Sequence, residues 1–564
     1  MSTSPKISFG LYDLEISKDS TPSCEDLQSF SKAMDLKTGN VTMYPIATYE
    51  PDFWLLDGKY KFIQEVEDSV HVGLMSLSMS DENGDFAIPP VLTVDFDQVH
   101  SSDGLVLHFA QISNDFANSI TVEYYDIYGA VITSDNYAPD SWEFEIEKDV
   151  VNFKQVVITF HSTNKPYRYL RLTEINYGQL IHFTGTAIKQ ASIVEEIDMI
   201  SVTVPANTCD LKLFSSAAEF SIVNPSGYYA RLSQRQPLSV YEIIDLNQIF
   251  MGRFYLDEWE NVSNTEIGFK CLDAIGILDR IPYHGGLWKY EGIKAQYLVD
   301  EIMTAAAIPY DLDSTLYDTY VIGWIPACSC REALQQLAFA IGAYVDCSRS
   351  NLVKIRPSII LDGTEPAISI TRSQKGSSQS LRLKTLITRV EITSHNYIEG
   401  AETANLYEGS LVVGFYEIPF SQPAHTLAVT GAAIVASGVN FARIRVTEAG
   451  EVTLTGLNYV DHQQTFSATG SFGSYVVPNV VKVEAATLVN IYNGQDVADR
   501  VFDYYQQRHL QKMRLYAHDT VGTGKVALID SMFDSQIRAA IEKMSVNLSG
   551  GFVIDAEASG VVES

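Results

Sequence analysis

Carboxylates, aromatic rings and cysteines are the side chains of this sequence best suited to chemistry. Two carboxyl groups facing one cleft, about 5–10 Å apart, would hydrolyse a glycosidic bond. The chain holds 70 Asp and Glu residues, so acidic pairs occur throughout and spacing singles none of them out. Asp257, Glu258 and Glu260 flank Trp259, and read as an exposed strand end. His-Glu-x-x-His, Gly-x-Ser-x-Gly and a Gly-rich phosphate loop are absent. The 11 histidines are scattered, and His284 before Gly285-Gly286 reads as a turn residue. Cys328-Ser-Cys330 is half of a metal site, but no second Cys/His pair stands at zinc spacing. All six cysteines (Cys24, Cys209, Cys271, Cys328, Cys330 and Cys347) therefore read as free thiols of a chain that folds in a reducing cytosol. The acidic loop Asp81–Asp85 does not match a calcium loop and reads as a turn. No catalysis, cofactor or metal is expected.

Sugar binding is a different chemistry. It needs aromatic faces beside polar side chains at loop tips. The aromatic candidates are Tyr49, Trp54, Tyr60, Tyr137 and Trp142. Trp54 lies in the apolar run Phe53–Leu56 and reads as core. Tyr137 ends the polar stretch Ser134-Asp-Asn-Tyr137 and reads as a surface loop residue. Tyr137, Tyr49 and Trp142 are the expected glycan-contacting residues.

The elements that must position these residues are mostly strands. Ser23 is expected to cap a short helix carrying Leu27, Phe30 and Met34. From about residue 44 the pattern turns to short strands, such as Leu92–Phe96, Leu105–Phe109, Ile120–Tyr125, Trp142–Ile146, Val156–Phe160 and Arg168–Leu172. Trp142, Phe144 and Ile146 alternate with Glu143, Glu145 and Glu147, which predicts a half-buried strand with a solvated acidic face. Strands continue from 181 to 272, and a short helix over 272–281 closes that unit. Residues 282–356 switch to helices and strands. Lys294–Ala307 is helical, with Leu298, Ile302 and Ala305 on one face. Ser329-Cys-Arg-Glu332 is a capping box that opens a helix stopped by Gly342. Residues 400–478 form a Gly-, Ala-, Thr- and Val-rich β segment inserted between strands that belong together. Asp496–Gln511 reads as an amphipathic helix.

The 564 residues carry a formal charge of −31 with 46% hydrophobic residues. That apolar mass excludes a disordered chain, and about 150 residues per domain suggests roughly four domains. The charge is lopsided: residues 1–180 hold 28 acidic and 11 basic side chains, a net of −17. Nucleic-acid wrapping and binding to anionic lipid both need basic surfaces and are not expected. No secretory signal is visible, and no stretch approaches 18 apolar residues.

Several short motifs occur in an order that resembles phage tail hub proteins. They are Phe220–Gly227, Gln234–Glu242, Phe250–Trp259, Asp273–Leu278, Cys330–Gly342 with Asp346–Arg349, and Ala498–Arg508. A second resemblance lies in Ala47–Pro51 leading to Leu55–Gly58, and in Val156–Phe160 through Pro166–Leu172. These are similar to discoidin-like, galactose-binding-like jelly rolls.

Together the resemblances imply a mainly β multidomain chain: a jelly roll, two hub β-barrel-like domains, a small α/β domain and an inserted β-sandwich. The expected division is 1–43 as an N-terminal segment, 44–180 as the jelly roll and 181–281 as the first barrel. The α/β domain follows at 282–360. The second barrel is built from 361–395 and 480–564, around a sandwich at 396–479. The hub resemblance implies a structural homotrimer at the tail tip of a phage or phage-like particle, assembled in the host cytoplasm. Its implied partners are distal tail and tail tube proteins, the tape measure protein and tip or fibre proteins. The jelly roll adds host cell-wall glycan as a further partner. Two alternatives follow from the same features: a carbohydrate-binding cell-surface adhesion protein, and a glycan hydrolase with an accessory binding module. The acidic module is expected at the periphery of the trimer.

Overall fold

The computed structural model describes residues 3–563 apart from 38–45, 52, 54–71, 111–112, 215–231, 233, 246, 264, 307, 474–475, 517–519 and 532–534. Trp54, Tyr60 and the stretches Leu55–Gly58 and Phe220–Gly227 lie outside the described residues.

The chain opens with strand β1 (Thr3–Tyr12) and helix α1 (Leu14–Asp19), whose Asp13 cap accepts from the Glu15 and Ile16 amides at 3.0 and 3.3 Å. The helix expected after Ser23 does not form. Ser23 lies in β2 (Ser20–Cys24), and residues 25–32 make turns ahead of a 3-10 helix over Ala33–Lys37. The Gln28 and Lys32 amides donate outward, to the Met75 and Gly73 carbonyls, so tertiary pairing replaces the helical ladder there.

Strands β3 (Leu74–Met79), β4 (Val91–Phe109), β5 (Ala117–Tyr125), β6 (Val131–Tyr137), β7 (Glu143–Thr163) and β8 (Tyr169–Thr184) complete a jelly roll with β2. One sheet runs β6-β5-β7-β4-β2, the other β3-β8-β4-β7. The long strands β4 and β7 pass from one sheet to the other through irregular pairing at residues 95–104 of β4. Alternation along β5 sends Ala117, Ile120, Val122 and Tyr124 inward. They join Phe96, Phe153, Phe160 and Tyr177 in one core.

The first barrel-like sheet does not begin at residue 181. β8 pairs with β4 up to Tyr177 and then with β1 over Gly178–Thr184. β1 also pairs with β11 (Pro237–Ile244), so the first residues of the chain are part of the first barrel-like sheet. The sheet continues β11-β12-β13-β10-β9, where β9 is Ile188–Glu196, β10 Thr208–Phe214, β12 Asn247–Ser263 and β13 Glu266–Leu272. Gly178 has φ +129°, and a Cβ there would stand 2.2 Å from the Leu11 carbonyl oxygen. Only glycine lets β1 and β8 approach this closely.

β9 then pairs antiparallel with the C-terminal half of strand Gln536–Asn547. The rest of that strand pairs with Val526–Asp530 and Val553–Val562, which extend the sheet to Ala367–Ile370, His509–Tyr516 and Lys375–Leu383. Both barrel-like units therefore belong to one hydrogen-bonded sheet with a single core, which unites Ile7, Leu211 and Val240 with Ile529, Ile541 and Val546.

Helix α2 (Ala274–Leu278) follows β13, capped by Asp273, and leads into the small α/β unit. There α3 (Ala295–Ala306) packs against α4 (Cys330–Ile341). The buried stripe of α3 is Leu298, Val299, Ile302, Met303 and Ala306; Ala305 points outward, one position off the expected face. The α4 capping box is present on both sides, and Gly342 ends the helix at φ +74°.

The inserted sandwich consists of two three-stranded sheets between Tyr397 and Asp461. It is smaller than expected, because Gln464–Thr469 leaves it to pair with Arg389–Ser394 under α5 (Gly494–Gln506). The helix also stops five residues before the expected Gln511: His509 already starts the strand His509–Tyr516. No helix among the described residues is long and apolar enough to cross a membrane.

Candidate functional site

Of the expected glycan contacts, Tyr49 has an open ring, 93% exposed. Tyr137 is not in a loop. It ends β6 opposite Ile120 and packs edge-on to Phe144 at 6.4 Å, and burial raises its phenol pKa. Trp142 is half-buried on the jelly-roll core, 6.3 Å from the His108 ring, and its carbonyl accepts from the Phe109 amide. Tyr137 and Trp142 thus share one core, and neither presents a free face as Tyr49 does.

Beside Tyr49 lies a charged cluster that sequence reasoning missed. Glu50 has a fully buried side chain. Its Oε1 accepts from the Tyr169 amide and from Arg171 Nη1, both at 2.9 Å, and its Oε2 accepts from Arg171 Nη2 and the Thr48 hydroxyl. This is a bidentate, charge-assisted pair. Asp115, with 3% of its side chain exposed, accepts from Lys165 Nζ at 2.7 Å. It stands 3.8 Å from both Arg168 Nε and Arg171 Nη1. The Arg171 and Arg168 guanidinium carbons lie 4.3 and 5.5 Å from the Phe53 ring centre.

Two atoms of this cluster are buried without a hydrogen-bond partner: Asp115 Oδ2 and Arg168 Nε. One is an acceptor and the other a donor. Both are enclosed within the cluster, 3.8 Å from the Arg171 Nη1 and Asp115 Oδ1 atoms with which they form ion pairs. The sequence signal was Pro166–Leu172, singled out for its resemblance. Glu50 and Asp115 join it only through pairings across 121 and 50 positions.

The acidic face expected on Glu143, Glu145 and Glu147 is solvated only at Glu147. Glu143 and Glu145 have 14% and 11% of their side chains exposed. They sit where the jelly roll abuts the sheet of β1, β8 and β11. Glu145 accepts from the Leu180 amide, and burial pushes its pKa up to about 7. Burial pulls the facing His182 down to about 4, helped by Lys6. Arg253 Nε is buried without a hydrogen-bond partner. Burial disfavours the Arg253 charge, but Tyr255, Glu174, Glu143 and Tyr12 more than offset this and raise its pKa. Alternation had correctly separated the two strand faces, but the second face is covered by another domain.

The other chemical candidates are structural. Asp81 accepts from the Asn83 and Asp85 amides at 2.8 and 3.0 Å, closing a turn. Glu258 pairs with Lys270 at 2.9 Å, and Asp257 with Arg280. The six cysteines are free, and burial pushes the Cys328 and Cys330 thiols up to about 12 and 11. Among the described residues no three His, Cys, Asp or Glu side chains group as metal ligands.

No family model and no curated protein matches the chain. Solved structures do. The chain is similar to a 43 kDa tail protein of prophage MuSo2 from Shewanella oneidensis, at 10% identity and TM-score 0.38, over 67% of this chain and 95% of that one. It is similar to the tail protein from Neisseria meningitidis MC58, at 10% identity and TM-score 0.41, over 67% and 93%. It is also similar to the family 32 CBM of C. perfringens NanJ, solved in complex with galactose, at 10% identity and TM-score 0.19, over 32% and 99%. At these levels the likeness describes a run of strands and carries no function to this chain.

Proposed function

We propose that this chain is a structural baseplate hub of a phage or phage-like tail. Three copies form a ring at the tail tip that closes the tube and anchors distal tail, tip and fibre proteins. The ring opens to pass the tape measure protein and the genome. The observation that carries this reading is the single sheet joining the two barrel-like units through β9 and Gln536–Asn547. Main-chain hydrogen bonds fix the two units side by side, so three chains present six units in fixed pairs. That is the arrangement a threefold ring needs to meet a sixfold tube.

The test is native mass spectrometry of the purified full chain, or mass photometry of disassembled particles. The expected species has three times the chain mass. A chain that stays monomeric both alone and within assembled particles overturns the reading.

A second reading, a carbohydrate-binding adhesion protein, is favoured by the open Tyr49 ring beside the charged cluster of Glu50, Asp115 and Arg171. The two are compatible if the jelly roll is the host-attachment arm of the hub. Saturable binding of host cell-wall glycan to the trimer supports the combination. A monomer that binds glycan favours the adhesion protein alone.

A further inference from the structure

A second concave surface lies far along the chain from the jelly roll. It is a cleft of about 430 Å³ where the α/β unit, the start of the inserted sandwich and the loop before α5 converge. Trp288, Tyr290, Tyr397 and Tyr492 line it. Tyr290 is 85% and Tyr492 66% exposed, so two rings stand open at the rim.

The walls are fixed by close backbone approach and by side-chain hydrogen bonds. Gly323 has φ +140°, and a Cβ there would lie 2.3 Å from the Thr487 carbonyl oxygen. The loop before α5 therefore rests directly on strand Tyr320–Ile325. The Asn490 amide nitrogen donates to the Ile322 carbonyl at 3.0 Å, and the Thr487 hydroxyl donates to the Trp324 carbonyl. His395 is held on both ring nitrogens, by Asp461 at 2.8 Å and the Glu484 carbonyl at 3.0 Å, and Tyr397 stacks on it at 9°. Trp324 Nε1 donates to Asn440 of the sandwich at 2.6 Å. Three segments distant in sequence thus form a preorganised cleft.

The electrostatics narrow the ligand. Lys289 and Glu399, the charged pair in the lining, neutralise one another. That leaves no free cation for a phosphate or carboxylate and no free anion for an amine. Among the described residues the Asn396 side-chain carboxamide and the Tyr290 and Tyr492 hydroxyls have no hydrogen-bond partner. Open aromatic rings, neutral hydrogen-bonding groups and balanced charge match one class of ligand. A sugar ring presents a C–H face to an aromatic ring and hydroxyls at its edge. We propose that this cleft is a saccharide-binding site for an uncharged sugar unit, separate from the jelly-roll end.

The experiment is isothermal titration of the full chain with neutral oligosaccharides (lactose, maltotriose and chitotriose), with Trp emission as a second readout. It uses a Tyr49→Ala background, which weakens the jelly-roll end, so that the effects of Tyr290 and Tyr492 substitutions report on the cleft. Saturable binding of at least one sugar is expected. Tyr492→Ala and Tyr290→Ala should each weaken it about three- to tenfold. Both rings are exposed, so neither change should lower the thermal midpoint. No saturable binding at millimolar sugar overturns the proposal, as does binding that both variants leave unchanged. A tail protein captured through Tyr290 and Tyr492 while every sugar fails would make the cleft a protein interface, and also overturns it. The outcome is independent of whether the chain is a trimer.

Discussion

Ile193 of β9 lies directly opposite Val546 near the end of the chain, and both side chains are buried in the same core. A few positions away, Lys543 reaches Glu196 across 347 positions of sequence. Strands from the first and the last part of the chain thus meet in one sheet, and the two barrel-like units cannot separate without breaking a ladder.

Ile193→Ala tests that ladder. Removing buried methyl groups at the junction should destabilise the shared sheet by about 2–5 kcal/mol. Because one core spans both units, urea unfolding followed by Trp fluorescence should show one transition for the two units, shifted downward. Independent melting of the two units would contradict the shared core.

Gly178→Ala should cost about 1–3 kcal/mol, because a side chain in this backbone conformation is strained and would meet the Leu11 carbonyl. Limited proteolysis is the sensitive measurement. Cleavage between Tyr12 and Leu14 should become faster as β1 loosens from β8.

Glu242 gives a pH dependence. It is fully buried in β11, neither carboxyl oxygen has a hydrogen-bond partner, and burial pushes its pKa up from 4.5 to about 7. The folded chain holds this proton between pH 4.5 and 7 while the unfolded chain releases it. Stability from this group is therefore full below pH 4.5 and is lost as pH rises to about 7. Glu145 and Asp273, also raised to about 7 by burial, act in the same direction. His182, lowered from 6.5 to about 4, acts in the opposite direction between those values. Glu242→Gln should flatten the decline in urea midpoint between pH 5 and 7 without abolishing it.

Tyr49→Ala should weaken binding of host cell-wall glycan to the jelly roll about three- to tenfold and leave the thermal midpoint unchanged. Asp115→Ala should weaken binding further but also lower stability, since it leaves Lys165 and Arg168 without their carboxylate. Titration against cell-wall preparations, with differential scanning calorimetry of each variant, separates the two effects.

Features encoded over a few residues were legible in the sequence. The Ser329–Glu332 capping box, the Gly342 stop and the alternation of β5 each depend on a local pattern, and each is present. The Ser23 helix was misread because the spacing of Leu27, Phe30 and Met34 also suits a turn-rich segment anchored to Gly73 and Met75. Tyr137 looked like a loop residue because Ser134-Asp-Asn precedes it, yet Thr121 pairs with Asn136 and extends the strand. The Glu143 and Glu145 face looked solvated because periodicity shows which side chains share a face, not what lies against it. The Glu50–Arg171 pair and the β9 junction depend on contacts across long stretches of chain, and no local pattern encodes them.

Strand β8 has a mechanical consequence. Its first half belongs to the jelly roll and its second half to the sheet of β1 and β11, with no linker between them. The jelly roll is thus a rigid arm rather than a tethered one. Tension applied at its Tyr49 end passes along the β8 backbone into the β1 ladder. Lys6–Tyr12 pair antiparallel with Thr184–Gly178 there, so the pull loads those pairs together in shear. An arm built this way would deliver strain to the barrel-like units instead of absorbing it in a hinge.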